Sequence, residues 1–130
     1  MDTDATRRLI EELLEAYNAP DLDRAALLYA EGCEYINRAY GIEVMGRDAQ
    51  RANMQAFLDL FPDRTLRPLR IFADEGGAAV EAEFVATSPG GPGMPAAGEP
   101  YNSEMCCVFE VSDGLVVKEH DYIDRSPSAA

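Results

Sequence analysis

Residues 101–124 read YNSEMCCVFEVSDGLVVKEHDYID, and the fold turns on how this stretch is parsed. Ser112-Asp113-Gly114 is a short polar break between two runs rich in Val, Ile, Phe and Tyr, the signature of a hairpin. In the first run Met105, Cys107, Phe109 and Val111 alternate with polar positions such as Asn102, Glu104 and Glu110, so the odd residues form the inner face. In the second run the odd residues are Leu115, Val117, Glu119, Asp121 and Ile123. Two carboxylates thus fall on a face otherwise built from apolar side chains, and a buried carboxylate is costly unless it is paired or protonated.

Upstream, residues 65–73 and 78–87 also read as strands, joined at Asp74-Glu75-Gly76-Gly77. Ala78, Val80, Ala82, Phe84 and Ala86 form their inner set and turn Glu81 and Glu83 outward. Residues 88–100 hold four Pro and four Gly, which makes them a loop long enough to overhang something. The N-terminal half has helical period. Leu9, Ile10, Leu13, Leu14 and Tyr17 stripe a helix over 3–18, capped by Thr3 or Asp4. Asp21 caps a short second helix running through Ala30 and ending at Gly32. Two short strands, 33–38 and 42–45, precede a third helix that follows Gly46, carries Met54, Phe57, Leu58 and Phe61 on one stripe, and stops at Pro62. The expectation is an α+β domain over 1–124, with three helices packed on one face of a curved, mainly antiparallel sheet, and a flexible tail at 125–130.

With 11 Lys and Arg against 24 Asp and Glu in 130 residues, the net charge of −13 argues against nucleic acid and anionic membrane surfaces as partners. There is no apolar run long enough for a membrane span, and the acidic start Met1-Asp2-Thr3-Asp4 is unlike a signal peptide, so the expected location is cytoplasmic. Cys33, Cys106 and Cys107 with a single His lack the spacing of a zinc site and read as buried thiols. One lysine, Lys118, makes Schiff-base chemistry a poor candidate, and no dinucleotide, P-loop or serine-hydrolase motif is present. Neither a cofactor nor a metal is expected.

The chemistry then centres on Asp121. One reading makes it a general base in a mostly apolar pocket; the other ties Asp121 and Glu119 to Arg38, Arg47 or a loop amide, or leaves them at an open sheet end. His120 points to the opposite face from Asp121. Tyr35 and Asn37 share one strand face and suit an oxyanion or a positioned water. Tyr17, Leu14, Phe57, Phe61, Phe84 and Met105, with Glu119, are the candidate pocket walls for a small apolar ligand, plain core being the alternative for the aromatics and Met105. Val85, Val108, Val116 and Tyr122 place apolar side chains on the outer face, which predicts a homodimer.

The segments Leu28-Tyr29-Ala30-Glu31 to Tyr35-Ile36-Asn37, Gly46-Arg47-Asp48-Ala49, Val108 to Gly114 and His120-Asp121-Tyr122-Ile123-Asp124 resemble the NTF2-like superfamily, which implies its cone-shaped α+β fold. Gly93-Met94-Pro95-Ala96-Ala97-Gly98 and Asp121 are similar to the loop and terminal acid of SnoaL-like polyketide cyclases, with Thr87 where that branch has a His. Tyr35, Asn37 and Asp121 align with residues of limonene epoxide hydrolases, whose Arg-x-Asp pair is replaced by Ala82 and Phe84, or by Glu83 and Val85 after a one-residue slip. Ketosteroid isomerases offer a looser likeness, with Asn37 at the place of their base and Leu13 at that of their helical Tyr. The first resemblance implies an acid–base cyclase or isomerase acting on a small apolar carbonyl compound such as a polyketide, with Asp121 as base. The alternatives are a non-catalytic ligand-binding or dimerisation module and an epoxide hydrolase.

Overall fold

The computed structural model describes residues 1–125. Helix α1 (Thr3–Asn18) is capped by Asp2, one residue before the expected position, whose Oδ1 accepts from the Ala5 N–H at 2.6 Å. Its apolar stripe Leu9, Ile10, Leu13 and Leu14 is buried. At its C-terminus the Asn18 amide both donates to Leu66 O and accepts from Leu66 N, each at 2.8 Å, which fixes α1 against strand β3 (Thr65–Ala73).

Helix α2 (Leu22–Leu27) is shorter than the sequence pattern suggests, because strand β1 (Tyr29–Asn37) begins where the helix was expected to continue. The Val116 N–H donates to Leu28 O at 2.9 Å, and Tyr29 pairs with Val116 across the sheet. Tertiary pairing outweighs the propensity of a short, weakly cooperative helix. A single 3-10 turn (Arg38–Tyr40) leads to β2 (Ile42–Met45). Gly46, at φ 99°, then turns the chain into α3 (Arg47–Leu60) while its N–H donates to Cys33 O at 2.7 Å.

Strands β3, β4 (Gly77–Thr87), β5 (Pro100–Ser112) and β6 (Leu115–Ile123) complete one six-stranded sheet in the order β2-β1-β6-β5-β4-β3. All neighbours are antiparallel except β1 and β6, which run parallel. The three helices pack against this curved sheet, giving the NTF2-like α+β cone. The inner sets of β4 and β5 are buried as the alternation predicted. On β6 the alternation breaks. Glu110 pairs with Lys118 but Val111 pairs with Val116, so Val117 is an extra, bulged residue. Val116 therefore faces the core at 0 % exposure, a correction to its expected place on the outer face.

The loop between β4 and β5 folds on itself: Ser88 N donates to Glu99 O and Gly98 N to Ser88 O, at 2.8 and 2.9 Å. Of the expected tail, only Arg125 falls within the described residues; 126–130 lie outside them. No helix among the described residues is long and apolar enough to cross a membrane.

Candidate active site

The parallel pairing of β1 with β6 sets Tyr35 beside Glu119 and Asn37 beside Asp121, with their side chains toward the helices. Tyr35 Oη donates to Asp121 Oδ2 at 2.6 Å, and Asn37 Nδ2 donates to Tyr35 Oη at 3.3 Å. Two residues earlier on β6, Glu119 Oε1 accepts from Tyr29 Oη at 2.5 Å. Neither arginine considered from the sequence meets these carboxyls: Arg47 Nε donates to Tyr29 O at 2.9 Å, and Arg38 is exposed. Among the described residues no Arg, Lys or His forms an ion pair with Glu119 or Asp121. Asp121 Oδ1 and Asn37 Oδ1 are buried with no protein donor.

These groups form the polar end of a cavity of about 60 Å³ between helices and sheet. By the usual water-sized measure that is room for about four waters, or a ligand head of a few heavy atoms. Tyr17 and Leu14 from α1, Phe57 from α3, and Phe84 and Met105 from the sheet line its apolar part. Phe61 does not line it. Instead Phe61 stacks on Tyr101 with ring centres 5.2 Å apart and meets Phe84 edge-on at 5.3 Å, so it is wall-supporting core. Three polar lining residues fall outside the site expected from the sequence: Tyr29, Gln50 and Asn53. Gln50 sits four residues before Met54 on the same helical stripe, a signal that was there to be read; Tyr29 was hidden inside the expected second helix.

Burial governs the electrostatics. Glu119, 6 % exposed, has its carboxyl pushed well above the ordinary range, by desolvation first, then by the Asp121 carboxyl beside it, with Tyr29 opposing. Burial likewise raises the Tyr29 and Tyr35 hydroxyls, with Glu119 and Asp121 respectively adding to it. Tyr17 is raised by burial and pulled back by Arg64, whose guanidinium lies 3.6 Å over its ring. His120, on the opposite face, approaches Tyr122 Oη at 3.5 Å and does not meet Asp121.

Cys107 Sγ, a Glu119 oxygen and an Asp121 oxygen lie within 4.8 Å of one another. The donor set suits a metal poorly. Burial and the two carboxyls raise the Cys107 thiol, and a tyrosine hydroxyl already occupies one oxygen of each carboxyl.

The carboxyl pair, its tyrosines and the apolar cavity amount to a site that suits a small, mostly apolar molecule with a polar end. Several solved structures share this fold. A candidate polyketide cyclase from Xanthomonas campestris pv. campestris superposes with a TM-score of 0.84 at 22 % identity, over 95 % of this chain and 93 % of that one. IdmH, a candidate polyketide cyclase from Streptomyces antibioticus, gives 0.81 at 22 % identity over 94 % of each chain. AclR, a candidate hydroxylase from Streptomyces galilaeus, gives 0.80 at 24 % identity over 96 % of this chain and 92 % of that one. A search of the curated proteins finds no match. The profile of the SnoaL-like domain matches residues 10–119, from α1 to Glu119 itself, and the chain belongs to that family.

Proposed function

We propose that the cavity performs acid–base chemistry of the cyclase or isomerase type on a small apolar carbonyl compound such as a polyketide, with Asp121 as general base. The observation that carries this reading is Asp121 itself: a carboxylate at the cavity's polar end, aimed by Tyr35, with Oδ1 buried and without a protein donor. Tyr35 and Asn37 act here as positioning residues, since the Tyr35 hydroxyl is spent on Asp121 and the Asn37 amide N–H on Tyr35. The test is deuterium exchange at the carbon next to the carbonyl of 2-butanone and cyclohexanone in D2O, followed by NMR. Wild type should accelerate exchange, and Asp121→Asn should lose about 100-fold, the scale of a missing general base. Absence of exchange with ligand still bound would favour a binding module instead.

A second reading, opening of a small epoxide by water, is favoured by one observation: Glu119 places a second acid beside Asp121. Diol formation from a small epoxide, without ketone exchange, would select it.

We also propose that two copies pair through the outer sheet face. Phe72, Ala79, Val108, His120 and Ile36 form one cross-strand row there, and Tyr122 next to it is 58 % exposed. Val85 belongs to the same face; Val116 does not.

A further inference from the structure

We propose that Glu119 and Asp121 work as one proton-sharing dyad in which Glu119 is the general acid that complements Asp121 as base. The inference rests on the carbonyl reading above and names the second half of its chemistry. The two residues stand on the same face of β6 and both line the cavity, and a carboxyl oxygen of each lies within 4.8 Å of the other. Each is gripped by its own tyrosine from β1, at 2.5 and 2.6 Å. The titratable groups that face the pair are Tyr17 from α1, Tyr29, Cys33 and Tyr35 from β1, and Cys107 from β5. Burial pushes every one of them upward, so none brings a charge near neutral pH. Two adjacent carboxylates with no cation cannot both stay ionised in such a site, and the pair holds one proton and one negative charge. The deeper member, Glu119, holds the proton at rest.

That count dictates the step. Asp121 Oδ1 removes a proton from the carbon next to the carbonyl; the C–H bond breaks, its electron pair forms the new C=C bond, and the carbonyl π pair moves onto oxygen. Glu119 gives its proton to that oxygen, and the O–H pair stays on its carboxylate. The dyad starts and ends with one proton and one negative charge, and the enol formed is neutral. A lone carboxylate base would instead move its charge onto an enolate oxygen inside an apolar cavity. In both outcomes the enol O–H breaks, its electron pair re-forms the carbonyl and its proton returns to Glu119. The C=C pair either takes the proton from Asp121 at a different, conjugated carbon, which is isomerisation, or attacks a second carbonyl whose oxygen takes the Asp121 proton, which is cyclisation.

The test combines carboxyl ¹³C NMR on protein labelled at Glu and Asp with the ketone exchange assay. One Glu carboxyl should stay protonated beyond the ordinary range in wild type, vanish in Glu119→Gln, and titrate at least about one pH unit lower in Asp121→Asn. Glu119→Gln should lower kcat for exchange by about 100-fold while KM stays within about 2-fold, and should change the shape of the pH profile. An ordinary titration of Glu119, insensitive to Asp121→Asn, overturns the dyad while leaving Asp121 as a base. Unchanged kcat in Glu119→Gln overturns the acid role. Should Glu119→Gln not fold, the wild-type and Asp121→Asn titrations decide alone. Failure of wild type to exchange either ketone, with the pair still titrating as one, sinks the carbonyl reading and the acid role together.

Discussion

Replacing Glu119 by Gln should flatten the dependence of stability on pH, and the size of that effect follows from burial. In the folded chain the Glu119 carboxyl is held well above its ordinary value of 4.5, by desolvation first and by Asp121 second. In the unfolded chain it ionises near that ordinary value. Between the two, the folded state binds one more proton than the unfolded state, so raising the pH favours unfolding. The stabilising contribution is complete below about pH 4.5 and is lost progressively as pH climbs toward the folded value, at about 1.4 kcal/mol per pH unit. A chain of this length has an unfolding entropy of roughly 0.27 kcal/mol/K, so each unit costs wild type about 5 °C in Tm relative to the variant. Gln keeps the shape and still offers Tyr29 an acceptor. Calorimetry of both proteins from about pH 4.5 to 7.5 provides the check, because surface carboxylates titrate alike in both and cancel in the difference. A Tm gap that stays constant across the range would refute the reasoning.

Three further outcomes are expected. Asp121→Asn should hold or raise Tm, since a buried charge becomes a neutral amide that still accepts from Tyr35; a loss of about 3–5 kcal/mol would reveal a cationic partner. Gly77→Ala should cost about 3 kcal/mol or more in denaturant unfolding, because its Cβ would sit 2.1 Å from Phe109 O, whereas Gly32→Ala, with open space around it, should cost far less. Val108→Asp should shift the protein from a dimer to a 14.2 kDa monomer in light scattering, and a monomeric wild type at micromolar concentration would contradict the pairing.

Strand alternation made most of the sheet readable. It placed Phe84, Met105, Glu119 and Asp121 on the inner face because a period of two leaves a strand only two choices once one face is apolar. The same rule misplaced Val116, since a bulge at Val117 shifts the register and nothing local in Leu115-Val116-Val117 marks which residue is extra. Tyr29 was lost for a related reason: a helical pattern and a strand start overlap at 28–30, and the deciding hydrogen bond comes from Val116, far along the chain. Phe61 shared the stripe of Met54 and Phe57, but it falls at the C-cap, where the helix ends and its ring turns toward Tyr101. The candidate base was visible as an anomaly of charge on an apolar face. What its neighbours would be, tyrosines rather than arginines, depended on the parallel register of β1 with β6, which no local signal encodes.

The position of β6 also governs the order in which the molecule can become competent. It lies between β1 and β5 and pairs with both, so without it the sheet is two separate pieces, β2-β1 and β5-β4-β3, each with an open edge. Among the described residues it is also the strand that comes last in chain order, and it carries both carboxyls to tyrosines 90 and 86 residues earlier. A chain cleaved before Leu115 would therefore hold two unpaired edges prone to strand addition and neither carboxyl of the cavity. Closing the sheet and seating the two carboxyls on their tyrosines are therefore a single event.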